Sequence, residues 1–213
     1  MFIAIGFILL AVAFVIWRIT TGGQGVWFST WIGLTAAERT SVRGFRNSIG
    51  IAVMLILLPP IILLLFPGIF PEVSEAFAER FDETGFVISF VIFQIPFGII
   101  PNAYSAFFDE LIFRGFVGKR LVGKLGFMLG NTIQAVIFTA LPLFGLLQVG
   151  LVHAVAYYGT VFIAIYAFVF GWLMGYITEK QAGGSIWPAI ILHFAFNFIT
   201  PTLTVLILAL RLT

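Results

Sequence analysis

Long apolar runs dominate the chain and are separated by short polar segments. A helix needs about 20 mostly apolar residues to cross a bilayer, and six stretches approach that length. They lie near 2–17, 47–66, 86–106, 126–147, 154–177 and 185–210. Because the apolar residues run continuously and do not alternate with polar ones, they favour helices over strands. The pattern predicts an all-α, polytopic transmembrane helix bundle of about six spans, which forms a single membrane domain over residues 1–213.

Prolines lie within or beside most of these spans. A proline in a helix removes one backbone hydrogen bond, and in a membrane the neighbouring helices can compensate for it. We therefore expect some spans to be kinked or broken. The prolines concerned are Pro59, Pro60, Pro96, Pro101, Pro142, Pro188 and Pro201.

Composition excludes a water-soluble fold and several kinds of chemistry. The chain is 61% hydrophobic and 9% charged, whereas soluble domains carry about 25% charged residues. It has no cysteine, which excludes disulfides, thiolate metal sites and a cysteine nucleophile. A net charge of +2 is too small to indicate nucleic-acid binding, and we expect membrane lipids to be the surroundings.

Charges alternate in sign from one inter-span segment to the next. Basic side chains collect after spans one, three and five: Arg18, Arg39, Arg43, Arg46, Arg114, Lys119, Arg120, Lys124 and Lys180. The segment after span two is acidic and contains Glu72, Glu75, Glu79, Asp82 and Glu83. By the positive-inside rule the basic segments lie in the cytoplasm, so the N-terminus is expected outside.

Two groups of polar residues lie within otherwise apolar sequence. Asp109 and Glu110 follow two phenylalanines, and Arg114 comes four residues after Glu110, so the last two share one helical face and can pair. His193 and Asn197 have the same spacing inside the last span. Ionisable groups in a membrane are costly, and they are candidates for function by default.

Helix counting places the two groups at a similar depth, so they can form one cluster. Asp109 and Glu110 lie about ten residues before the basic turn at 119–124, and His193 lies about ten residues after the glycine turn at 183–184. At 1.5 Å per residue, both are about 15 Å from a cytoplasmic turn. His153 belongs to the opposite, outer end and is expected to be an interfacial residue.

These residues form a pattern that resembles the CPBP family, which comprises type II CAAX prenyl endopeptidases and bacteriocin-processing or Abi-type membrane proteins. The segment Asp109-Glu110-Leu-Ile-Phe-Arg114 resembles the family motif Glu-Glu-x-x-x-Arg. His193-Phe-Ala-Phe-Asn197 is similar to its last motif, His-x-x-x-Asn, and has the usual lead-in from Gly171-Trp172 to Trp187-Pro188. The resemblance covers roughly 101–200.

The resemblance implies an intramembrane protease without a metal ion or a cofactor. In such a protease the paired carboxylates, here Asp109 and Glu110, activate a water molecule that attacks a peptide carbonyl. Arg114 would hold the acidic pair, and His193 with Asn197 would stabilise the oxyanion. The substrate would be a membrane-associated peptide or a lipidated protein, cut near the cytoplasmic face, and the small size suggests a bacterial inner membrane.

The chain departs from the family pattern at two positions. Asp109 stands where the family has glutamate and is shorter by one methylene. The middle motif, Phe-x-x-x-His, matches Phe138-Thr-Ala-Leu-Pro142, so a proline replaces the water-activating histidine. Asn131 and Gln134 on the same span can donate hydrogen bonds but cannot act as bases at neutral pH.

Two hypotheses therefore stand. In the first, the chain is an active CPBP-type endopeptidase. In the second, it keeps the fold but lacks the activity, and it serves as a membrane peptide-binding, immunity or scaffold protein. A transporter is less well supported, because its polar groups would follow a pathway across the membrane and these residues collect at one depth.

Overall fold

The computed structural model describes residues 2–23, 25–36, 39–66, 86–148 and 157–212, and within them every regular element is helical. The α-helices are α1 (Phe2–Thr21), α2 (Phe28–Ile32), α3 (Arg39–Leu65), α4 (Phe86–Glu110), α5 (Lys119–Leu125), α6 (Phe127–Gln148), α7 (Tyr157–Tyr176) and α8 (Trp187–Leu212). Two π-helices, π1 (Leu111–Gly118) and π2 (Ile177–Gln181), continue α4 and α7 directly.

Four helical stretches in the described residues are long and apolar enough to cross a membrane: Ser48–Leu65, Phe127–Gly145, Gly159–Gln181 and Trp187–Ile207. A shorter apolar stretch covers Gly6–Thr21. Large apolar side chains such as Ile19 and Ile100, each 75% exposed, point away from the protein. Such a surface suits lipid, and the predicted all-α membrane bundle is confirmed, while the count of six spans stays a prediction.

Helix α3 begins eight residues before the predicted span at 47. Arg39, Arg43 and Arg46 therefore lie on the first turns of a helix and not in a loop. Arginine is a good helix former, and the hydrophobic pattern cannot reveal turns that extend beyond the apolar run. The acidic segment at 72–83 and His153 lie outside the described residues.

Helix α3 runs through Pro59-Pro60 without ending. The missing N–H groups free the carbonyls of Leu55 and Ile56, four residues earlier. The Tyr166 hydroxyl of α7 donates to the Leu55 carbonyl at 2.6 Å, and the Thr200 hydroxyl of α8 donates to that of Ile56 at 3.2 Å. Hydrogen bonds from α7 and α8 thus replace both lost backbone bonds, and they link these two helices to α3.

Buried apolar residues in the described part of the chain form two clusters, and π1 contacts both, through Phe113 and Leu111. One packs α3, α6, α7 and α8 together and includes Leu55, Phe138, Phe170 and Met174. The other joins α1, α2, π1 and the start of α8 around Ile32, Leu111 and Ile186. The junction of α4 and π1 therefore lies against both apolar clusters.

The segment after α2 is fixed against the basic end of the bundle. The Ile186 N–H donates to the Gly33 carbonyl at 3.0 Å, and the Arg120 guanidinium stacks on the Trp31 ring, 3.2 Å from its centre. Arg120 also donates to the carbonyls of Gly115 and Trp31. Burial lowers the pKa of Arg120 to about 10, which still leaves it charged at neutral pH.

Candidate active site

Glu110 and Arg114 form a buried ion pair at the start of π1. Glu110 is 0% and Arg114 1% exposed, and Arg114 Nε lies 3.1 Å from Glu110 Oε2. The two atoms are not aligned as a hydrogen bond, so the contact is electrostatic. Arg114 Nη2 donates to the Gly171 carbonyl at 3.1 Å, and the guanidinium lies 4.4 Å from the centre of the Phe138 ring. The predicted pairing at a spacing of four is confirmed.

His193 of α8 contacts the other oxygen of the same carboxylate. Its Nδ1 lies 2.7 Å from Glu110 Oε1. The ring packs edge-on against Phe138 and Phe170, with centroids 6.1 and 5.0 Å away. The contact shows that Glu110 and His193, which helix counting allows to lie together, do meet. A carboxylate at Nδ1 favours the proton on that nitrogen, and Nε2 then faces away from Glu110.

Asp109, His193 and Asn197 line a cavity of about 510 Å³. Glu110 is not among the lining residues, and it is fully buried. The two acidic neighbours therefore have different positions: Asp109 borders the cavity, whereas Glu110 lies behind His193 and holds it. The sequence pattern treats the two carboxylates as an equivalent pair, because spacing alone does not show which one reaches the cavity.

Ser105 is a member of the site that the sequence reasoning missed. It lines the same cavity, and its hydroxyl donates to Asp109 Oδ2 at 3.1 Å. The signal was present, since the two residues are four apart on α4 and share one helical face. The bond fixes one carboxylate oxygen and leaves Oδ1 as the oxygen without this constraint.

The middle-motif position also borders this cavity. Pro142, inside α6, is one of its lining residues. Asn131 and Gln134 do not line it; the Asn131 amide donates to the Trp172 carbonyl at 2.9 Å, and Gln134 lies beside Arg114 in a separate, smaller cavity. Neither of them takes the place of the missing histidine.

Two carboxylates and two groups able to carry positive charge lie together in the cluster. Glu110 and Asp109 carry two negative charges when ionised, and Arg114 with a protonated His193 carries two positive ones. Charges in a low-dielectric interior are tolerated when they are paired. Glu110 is the carboxylate that contacts both Arg114 Nε and His193 Nδ1, so it links the charged groups of the cluster.

The fold and the site together define a helical membrane protein with an acid–histidine cluster enclosed between its spans. The sequence model of the family described as type II CAAX prenyl endopeptidase Rce1-like matches residues 91–199. The chain belongs to this family. The matched range, about half of the chain, contains Asp109, Glu110, Arg114, His193 and Asn197 as well as Pro142. Comparison with curated proteins and with solved structures finds no match.

Proposed function

We propose that the protein is an intramembrane endopeptidase that hydrolyses a peptide bond of a membrane-associated or lipidated substrate. The observation that carries the proposal is the shared cavity of Asp109, His193 and Asn197. Membership of a family of prenyl endopeptidases supports the same reaction class.

Asp109 acts as the general base. It is the carboxylate that borders the cavity, and Ser105 holds its Oδ2. A base must lie within hydrogen-bond reach of the proton that it takes, and a water molecule in the cavity can approach Oδ1. General base catalysis contributes about 10²–10⁴ in rate.

His193 and Asn197 stabilise the oxyanion. They lie one helical turn apart on α8 and border the cavity together. Glu110 holds His193 through Nδ1 at 2.7 Å, and Arg114 holds Glu110, so the imidazole is oriented before substrate binds. Donors fixed in advance where negative charge develops give about 10²–10³ in rate each.

The cavity walls indicate an apolar substrate. Apart from the polar residues named above, the cavity is lined mainly by Leu63, Leu141, Phe162, Ile163, Tyr166, Phe170 and Phe196. Along α8 the lining extends from His193 to Thr204, which is about 16 Å at the helical rise. A hydrocarbon chain or apolar side chains of a peptide suit such a space, with the scissile bond beside Asp109.

The site lies nearer the basic end of the bundle. His193 is six residues after Trp187, the first residue of α8, which is about 9 Å along the helix. Lys119 and Lys124 on α5 and Lys180 on π2 belong to the same end. By the positive-inside rule this end is cytoplasmic, and a bacterial inner membrane is the proposed location.

A second candidate function is peptide binding without cleavage. Pro142 supports it, because a residue that cannot accept or donate a proton borders the cavity at the position of the motif histidine. The same apolar walls would hold a hydrophobic peptide. In that case the protein would serve as an immunity factor or scaffold.

Cleavage and binding assays on one set of variants separate the two functions. The purified protein in lipid vesicles is incubated with prenylated and membrane-anchored peptides, alongside Asp109→Ala, Glu110→Ala and His193→Ala. We expect cleavage by the wild type and its loss in all three variants. Cleavage that survives all three substitutions would exclude the proposed site, and tight binding with no cleavage by the wild type would favour the binding protein.

A further inference from the structure

A second, much smaller cavity is bordered by Arg114, which does not line the large one. Its volume is about 10 Å³, and it shares no lining residue with the large cavity. The lining residues are Arg114, Gly118, Val122, Asn131, Gln134, Gly175, Thr178 and Glu179. They come from π1, α5, α6, α7 and π2, so the cavity lies where five elements meet.

Several polar side-chain atoms around this cavity are buried and have no hydrogen-bond partner among the residues that the structure describes. They are Arg114 Nη1, Gln134 Nε2 and Oε1, Thr178 Oγ1 and Glu179 Oε1. Gln134 and Thr178 are both 0% exposed. Folded proteins satisfy nearly all buried polar groups with protein or ordered water, so this concentration around one small space indicates a bound partner.

Size and charge identify the partner as water. A volume of about 10 Å³ is roughly what one water molecule needs, provided that it has two to four polar partners. A cation would meet Arg114 and an anion would meet Glu179, so a small neutral molecule fits best. Arg114 Nη1 and Gln134 Nε2 offer donors, and Glu179 Oε1 and Gln134 Oε1 offer acceptors.

We propose that this cavity binds one internal water molecule, and that the water and Gln134 position the guanidinium of Arg114. The other nitrogens of Arg114 are already engaged: Nη2 with the Gly171 carbonyl and Nε with Glu110. The water is the hydrogen-bond partner of the remaining guanidinium nitrogen, Nη1. Gln134 is therefore a positioning residue that acts on His193 through Arg114 and Glu110. The proposal holds whether or not the protein cleaves peptides.

The water is tested by nuclear magnetic resonance on protein in lipid bilayers. The chain has only five glutamines, so selective ¹⁵N-glutamine labelling gives few side-chain amide signals. The Gln134 signal is the one that disappears in Gln134→Leu. We expect rapid magnetisation transfer from water protons to this amide although it is buried. Transfer no faster than to a lipid-shielded methyl group would show a dry cavity and overturn the proposal.

The positioning effect is tested on His193 itself. The chain has two histidines, so ¹⁵N-histidine in a His153→Ala background reports His193 alone. We expect Gln134→Leu to shift or broaden the Nδ1 signal, and Gln134→Asn, which keeps a neutral side-chain amide, to restore most of it. Thr139→Val is the matched control on α6, because its hydroxyl donates to the Ala135 carbonyl of its own helix, and it should leave the signal unchanged.

An unchanged His193 signal in Gln134→Leu would overturn the positioning role. If Gln134→Leu fails to fold, Thr178→Val removes a single partner of the water and is expected to cause a smaller shift of the same sign. Neither measurement uses a substrate. A result that excludes peptide cleavage therefore does not exclude the bound water or the positioning role of Gln134, and the reverse also holds.

Discussion

Asp109 and Glu110 are adjacent in sequence but have different surroundings. Successive helix residues point about 100° apart, so one carboxylate reaches the large cavity and the other faces Arg114 and His193. Glu110 contacts both Arg114 and His193, whereas Asp109 accepts a hydrogen bond from Ser105. The two residues should therefore affect stability and activity differently.

Glu110 should matter more for stability than Asp109. Glu110→Gln removes the charge that pairs with buried Arg114, and breaking a buried pair costs about 3–5 kcal/mol. Asp109→Asn keeps a partner for Ser105, and we expect a loss of about 1 kcal/mol. Unfolding of both variants in mixed detergent, followed by circular dichroism, measures the difference. Equal losses would mean that Glu110 is not the structural member of the pair.

Restoring the motif histidine should raise activity. Pro142 borders the same cavity as Asp109, so the side chain of Pro142→His would face the proposed water site. A second base or donor there should increase the rate of peptide cleavage at least about tenfold, which is less than the 10²–10⁴ of a sole general base because Asp109 is already present. Leu141→His, which places a histidine one residue away in the cavity wall, is the matched control. If both variants raise the cleavage rate equally, or if neither raises it, Pro142 does not occupy the position of the motif histidine.

At the scale of elements, the sequence predicts the helices well and their rotations poorly. The apolar runs locate α6 and α8 to within two residues of the observed ends, because runs of that length have no other stable form in lipid. Apolar runs do not reveal the wide turns of π1. Those turns help to determine the direction of the Arg114 side chain. A spacing of four residues predicts that Glu110 and Arg114 share a helical face, and likewise His193 and Asn197. It does not predict that Gln134 lines a second cavity.

Tyr166 should stabilise α3 only because Pro59 frees a carbonyl. Tyr166→Phe removes the donor to the Leu55 carbonyl, and we expect a loss between about 0.6 and 1.7 kcal/mol, the average and the maximum for hydrogen bonds between membrane helices. In a Pro59→Ala background the helix itself supplies the donor, so the same change should cost little. A double-mutant cycle on unfolding free energy gives the coupling. A coupling near zero would show that the hydroxyl does not compensate for the proline.

At the scale of the whole molecule, the basic end and the site lie on the same side. The chain has no cysteine, so single cysteines can be introduced as topology markers. We expect a membrane-impermeant maleimide applied to intact cells to label Glu75→Cys, in the acidic segment, and not Lys124→Cys, whose position is exposed at the basic end. Opening the cells should make position 124 reactive. The reverse labelling would invert the orientation and place the site toward the outside.

The large cavity connects the site to the apolar interior of the bundle. The central question is whether Asp109 acts as a general base in this cavity. The most direct measurement is the single-turnover rate of cleavage of a prenylated peptide by wild type, Asp109→Asn and Asp109→Glu, all in the same vesicles. We expect Asp109→Asn to reduce the cleavage rate at least about a hundredfold, because the general base is lost. Asp109→Glu should retain activity or exceed the wild type, since it restores the family residue. Unchanged cleavage by Asp109→Asn would contradict the proposed mechanism.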